Sequence, residues 1–311
     1  MALDSEHFLL ANALRLVWEA PMALEPEQKA LIKSCLKAQG VGTHPRGEGD
    51  LDVLHRALIA CSFLKDLPEG EAKWLTDHGA DFPAATMSYF TRVAWHLHRS
   101  PKPLPDAFVK PLVDFLQSTR SHLATVNYDN LLYQRLIAAK VLQGYDGCLV
   151  DGFYSEGGFA PTNLDRRYGK NFGWYLHLHG TPLFIDDSSG RTTKQAQNEA
   201  NPYPTRHLVL THVSHKRSVI DASPVLSEYW RRLRLALHES DGVTVIGYSG
   251  CDEHLNETIK SSQTSSRLVV EWTGAGQEDA RRAYWAERIG DGVHLIRLDS
   301  VLDFTDWGGA G

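Results

Sequence analysis

The sequence predicts an α/β protein, a doubly wound and mostly parallel sheet with a helical insertion at about residues 20–120. Three observations predict it. Six segments in the last two thirds of the chain are rich in Val, Leu and Ile, and several run continuously apolar, as parallel strands covered on both faces do. Helical patterns lie between some of them, the alternation that builds a doubly wound sheet. Residues 20–120 instead carry helical spacing throughout.

In chain order, "EPEQKALIKSCLKAQ" (25–39), "DLDVLHRALIACSFLKDL" (50–67), "PAATMSYFTRVAWHLHRS" (83–100) and "DAFVKPLVDFLQSTR" (106–120) read as helices. Breaks bearing Pro and Gly, such as "HPRGEGD", join them. "HLATVNY" (122–128) is the first of the six strands. Residues 151–171 and 185–205, rich in Gly, Asn, Asp and Ser, are long loops on either side of the strand "WYLHLHG" (174–180). "HLVLTHV" (207–213) reads as a further strand, followed by a helix over 224–240. The strands "GVTVIGY" (242–248), "RLVVEWT" (267–273) and "GVHLIRLD" (292–299) then alternate with helices over 253–262 and 277–290. No internal repeat is present, and the whole reads as one domain.

The 311 residues are 42% hydrophobic with a net charge of −6, enough for a sizeable core and without the basic stripe that a nucleic-acid groove needs. The densest basic run, "RRLRLALH" (231–238), reads as one solvated helix face. The four cysteines form no CxxC pair, which argues against a structural zinc and a disulfide framework. No apolar run reaches the ~18 residues of a membrane helix, and the beginning of the chain carries Asp4 and Glu6 rather than a basic leader. The expectation is a soluble cytoplasmic protein without membrane or direct nucleic-acid partners.

In an open α/β sheet, ligands bind outside the carboxyl ends of the strands. Polar residues collect there: Asn127 and Asp129, then His179 and Gly180, then Gly247, Tyr248, Ser249 and Asp252, then Glu271, with Asp151 opening the long loop. Singly, each has a structural reading, such as a helix cap for a strand-end Asn or a turn for "GYSG". Together, at successive strand ends, they point to a ligand site. The pairs His212/His215 and His96/His98 lack the third ligand that a metal site requires, so no metal is expected.

The ordered series "TVNYDNLL", "LHLHG" and "VIGYSGCDEHLN", over roughly residues 120–275, resembles the sirtuin-like superfamily and most of all its zinc-lacking bacterial branch, whose members often act in antiphage defence by destroying NAD. The resemblance implies a Rossmann-like fold with NAD as substrate, or ADP-ribose as ligand. It implies that Asn127 is the catalytic amide beside the nicotinamide ribose, Asp129 its acidic partner and His179 the catalytic histidine. Gly247 and Ser249 match the turn that contacts the nucleotide, with Asp151 and Glu271 lining the site. Breaking the nicotinamide–ribose bond builds positive charge on the ribose. An amide that holds water or ribose hydroxyls in line, and an imidazole that accepts a proton, suit that step.

The family opens with a strand and a glycine-rich turn that brings backbone N–H groups to the pyrophosphate. Here "ANALR" (11–15) stands in that place, with Ala11 and Ala13 for the glycines and Arg15 for the serine. Asn12 is kept, and Arg15 offers a guanidinium for phosphate. Either a turn persists with Asn12 and Arg15 as cofactor ligands, or the stretch is helix, which its propensities favour. The first reading makes the protein an NAD glycohydrolase, releasing nicotinamide and ADP-ribose. The second makes it a catalytically weakened NAD or ADP-ribose sensor or an interaction module, with a second copy or a defence-system protein as partner. An NAD-dependent deacylase ranks third, because the zinc cysteines that help shape an acyl-lysine groove are missing.

Overall fold

The computed structural model describes residues 3–21, 23–65, 67, 77–100, 102–154, 157–167, 169–211 and 215–308. Five helices precede the first strand: α1 (Leu10–Glu19), α2 (Pro26–Ala38), α3 (Glu48–Lys65), α4 (Asp77–His98) and α5 (Asp106–Thr119). The expected helical region is therefore present, with no strand ahead of it among the described residues. Phe8–Leu10 forms none, and "ANALR" lies wholly within α1. Ala13 and Leu14 are fully buried against α4, and Leu14 O accepts a hydrogen bond from Tyr89 Oη at 2.9 Å. Alanines and leucines at helical spacing, with no glycine to favour φ > 0, make helix the lower-energy state of this stretch.

The strands follow in two parallel three-stranded ladders. The first contains β1 (Leu123–Thr125), β2 (Leu149–Val150) and β5 (Gly173–His177), in the order β1-β5-β2. The second contains β8 (Gly242–Ile246), β9 (Ser266–Trp272) and β10 (Val293–Leu298), in the order β10-β9-β8. Between them in sequence come the antiparallel pairs β3 (Phe153–Tyr154) with β4 (Gly158–Phe159), and β6 (Phe184–Asp186) with β7 (Thr192–Lys194). The remaining helices are α6 (Leu131–Ala138), α7 (Lys216–Ala222), α8 (Pro224–Glu239), α9 (Glu253–Lys260) and α10 (Glu278–Ile289). The fold is α/β and Rossmann-like, but the expected single sheet is two ladders. β1 and β8 each pair on one side only, and Ala124 and Thr244 on them are exposed, whereas every residue of the central β5 is buried.

Two expectations need correction. "HLVLTHV" forms no strand among its described residues. Leu208 makes one isolated antiparallel bridge to Gly180, and His212 and Val213 lie outside the described residues. The segment is a strap across the exit of β5, tied by Val209 N–H donating to His179 O at 2.9 Å. The crossing requires Gly180. Its φ is +76°, and a Cβ there would stand 1.8 Å from His207 O. The two long loops are also not wholly irregular, since each holds one of the short antiparallel pairs.

α8 joins the two ladders in sequence and covers β5. Ser223 caps it, its Oγ accepting from Leu226 N–H at 3.2 Å, and Pro224 follows at the first helical position. Its apolar stripe, Val225, Leu226, Tyr229, Trp230, Leu233 and Leu237, is buried in the main core, which both ladders share. Each such side chain contributes about 1.5–3 kcal/mol by leaving water. Trp230 Nε1 donates to Leu178 O at 2.9 Å, fixing the helix over the β5 exit. A second core, built from α1–α4 and Leu210, meets Tyr128 from the loop after β1. Among the described residues, no helix is long and apolar enough to cross a membrane.

Candidate active site

The register of the first ladder aligns the two leading residues. Thr125 lies opposite His177 on adjacent parallel strands, so Asn127 and His179 each stand two residues beyond the same rung. Asn127 is exposed, and its side-chain amide makes no hydrogen bond to a described residue. Asp129 accepts from Leu131 N–H at 3.1 Å and so caps α6. Burial raises its pKa, which that hydrogen bond partly offsets. Tyr128 anchors the loop, its hydroxyl donating to Val209 O at 2.7 Å and its ring lying 6.5 Å from that of His179. On the other side, His98 Nδ1 lies 2.8 Å from Tyr128 O, so the end of α4 also holds the loop.

His179 is buried, and its Nε2 lies 2.7 Å from Asp252 Oδ2. The same oxygen accepts from Lys216 Nζ at 3.1 Å, while Oδ1 accepts from Leu255 N–H at 3.0 Å as the N-cap of α9. Burial alone would raise the Asp252 pKa. The hydrogen bonds from His179 and Leu255 N–H and the positive charge of Lys216 outweigh it and hold the carboxyl well below its ordinary range. Tyr248 Oη accepts from Asp252 N–H at 2.7 Å and steadies the cap. The result is a buried carboxylate orienting an imidazole, with a lysine balancing the charge. Such an imidazole is placed to accept a proton from a group bound beside Asn127.

Gly247 and Ser249 form the turn between β8 and α9. Gly247 takes a φ of +62°, and Ser249 is exposed. Ser249 Oγ accepts only a long 3.3 Å bond from Cys251 N–H, and Tyr284 Oη donates to Ser249 O at 2.7 Å. This turn leads directly into Asp252, so it shares the edge with His179.

The other residues singled out in the sequence do not join this group. Asp151 lies just past Val150, which pairs with Trp174, four rungs short of the level of His179, about 13 Å at ~3.3 Å per residue. Its carboxylate is buried, paired to Lys194 and accepting from Tyr133 Oη at 2.7 Å. Glu271 is buried at the end of β9 and taken up by Arg281, by Trp285 Nε1 at 2.9 Å and by Arg297. On α1, Arg15 pairs with Glu19 at 2.8 Å, and Asn12 donates to Glu6 O at 3.1 Å. His215 Nε2 bonds Asp52 at 2.6 Å.

Asp252 was visible in the sequence as a strand-end acid, but its pairing with His179 was not. The pairing of Lys216 with Asp252 was not visible either, because 36 residues separate them. The model of the SIR2-like domain matches residues 121–289, more than half of the chain, and spans every part of the His179 cluster. Among curated proteins, none matches the chain. SIR2-like domains use NAD as substrate, and the free amide, oriented imidazole and glycine turn all lie within the matched residues. The chain belongs to the SIR2-like domain family.

Proposed function

We propose that this chain hydrolyses NAD to nicotinamide and ADP-ribose, in the manner of the antiphage defence proteins its motifs resemble. The observation that carries the reading is the buried Asp252–His179 pair opening beside the unpartnered amide of Asn127. Asn127 holds the ribose and the attacking water. The bond between the nicotinamide nitrogen and ribose C1′ breaks, and its electron pair leaves with neutral nicotinamide. Water adds to C1′, and His179 takes the proton, its imidazolium stabilised by Asp252. Asp129 orders the loop by capping α6 rather than by touching the ribose.

A second reading has its own observation. Because residues 11–15 are helix with Ala13 and Leu14 in the core, no backbone turn is offered there to the pyrophosphate. On that reading the chain binds NAD or ADP-ribose weakly, or serves to engage a partner. Nicotinamide release and calorimetric NAD binding on one preparation separate the two. His179→Ala and Asn127→Ala are expected to lower turnover at least about 100-fold, the scale of a positioned base. Full turnover in either variant removes the assignment. Binding without turnover in the wild type favours the second reading.

A further inference from the structure

α1 and α4, which precede the SIR2-like match, enclose a cleft of about 300 Å³ closed on one side by Ala200 and Pro202 from within it. Leu16 and Val17 of α1, with Ala20 just past its end, form an apolar wall. The α4 wall carries Arg92, Trp95, His96 and Arg99. No acidic side chain is among the described residues that line it.

The α4 wall is rich in unused donors. Arg92 is half-buried and makes no hydrogen bond or ion pair with a described residue. Its Nε alone is shielded from solvent, and its terminal nitrogens are open to donate to a ligand. Arg92 Nε, Trp95 Nε1 and His96 Nε2 are each shielded from solvent without an acceptor. Arg99 stands at the rim, its guanidinium 5.0 Å from the Trp95 ring, and donates to Glu199 O at 2.5 Å. The two guanidinium groups only donate and no acidic side chain lines the cleft, so what suits this wall is an acceptor-rich anion. Planar guanidinium forks match phosphate oxygens in particular. The volume is at the small end for a ligand pocket and has room for more than an inorganic ion.

We propose that this cleft binds a phosphorylated small molecule, with Arg92 and Arg99 on the phosphate and the α1 wall against its apolar body. The site is separate from Asn127 and His179 and does not depend on the reaction assigned to them. The test is calorimetric titration of the full chain with inorganic phosphate and with adenosine monophosphate. The mononucleotide is expected to bind at least about tenfold more tightly than phosphate, because only it uses the apolar wall. Arg92→Gln is expected to weaken it tenfold or more, the loss of one charge-assisted contact. Arg99→Gln removes one contact at the rim and leaves the buried core untouched, and it too should weaken binding. Asn127→Ala should leave binding unchanged. The proposal is overturned if neither ligand binds at millimolar concentration, or if phosphate binds as well as the mononucleotide. It is also overturned if both arginine variants bind like the wild type, or if Asn127→Ala abolishes binding and so moves the ligand to the other site.

Discussion

His179 and Asp252 are 73 residues apart in sequence and 2.7 Å apart in space, which marks the limit of what local pattern reveals about the site. Asn127 and His179 were legible because each follows a recognisable apolar strand, and the register ends with Thr125 opposite His177, two residues before each. Asp151 and Glu271 were equally legible as strand-end acids. Lys194, Arg281 and Arg297, brought in from outside their own strands, neutralise them in the fold, and Tyr133 donates to Asp151. A carboxylate's role is thus decided by the cations the topology delivers. The Asp252→Asn variant tests that view. Asparagine keeps an oxygen to cap α9 but loses the charge facing His179. Turnover is expected to fall at least about tenfold, a fraction of what a positioned base supplies, with the KM for NAD little changed. Steady-state kinetics checks this, and a change in KM alone would make Asp252 a binding residue.

At the scale of elements, long periodic segments were the most legible. The helix expected over 224–240 is α8, Pro224–Glu239, and the strand expected over 242–248 is β8, Gly242–Ile246. The segment 207–213 is as apolar as a strand, but neighbouring backbone accepts it only as a strap with a single bridge. The short pairs β3–β4 and β6–β7 were missed because two- and three-residue strands carry no period. α1 is the element with the largest consequence, since its helicity removes the phosphate turn. Ala13→Gly restores a glycine to that turn. It is expected to cost about 1 kcal/mol, read as a lower denaturation midpoint, without tightening NAD binding. Tighter NAD binding in that variant would show that residues 11–15 reach the nucleotide as a turn.

For the molecule as a whole, the α/β class was legible from the alternation of patterns, but the break between β1 and β8 was not. Pairing between strands is set by tertiary geometry, and β1 and β8 are as apolar as their neighbours. Acid response is likewise a property of the whole. Burial holds His55 and His98 at about 4 and His177 at about 3. Unfolded histidines take up protons near ~6.5. Between those values the unfolded chain binds more protons, so stability is expected to fall as pH drops from about 6.5 towards 4. The slope is about 1.4 kcal/mol per pH unit for each histidine. Thermal unfolding at pH 7.5 and 5.5 reads it, and equal midpoints would show that these rings are hydrated and charge freely.

The dyad also sets a timetable. β1, β2 and β5 are complete by His177, and a chain on the ribosome that has emerged as far as Lys194 already holds Asn127 and His179. It does not yet hold Lys216 or Asp252, which belong to α7 and to the turn after β8. Domains take shape as they are synthesised. An unfinished chain therefore carries an imidazole with nothing to orient it. If the finished protein consumes NAD, the fold itself keeps incomplete copies harmless to the cell that is making them.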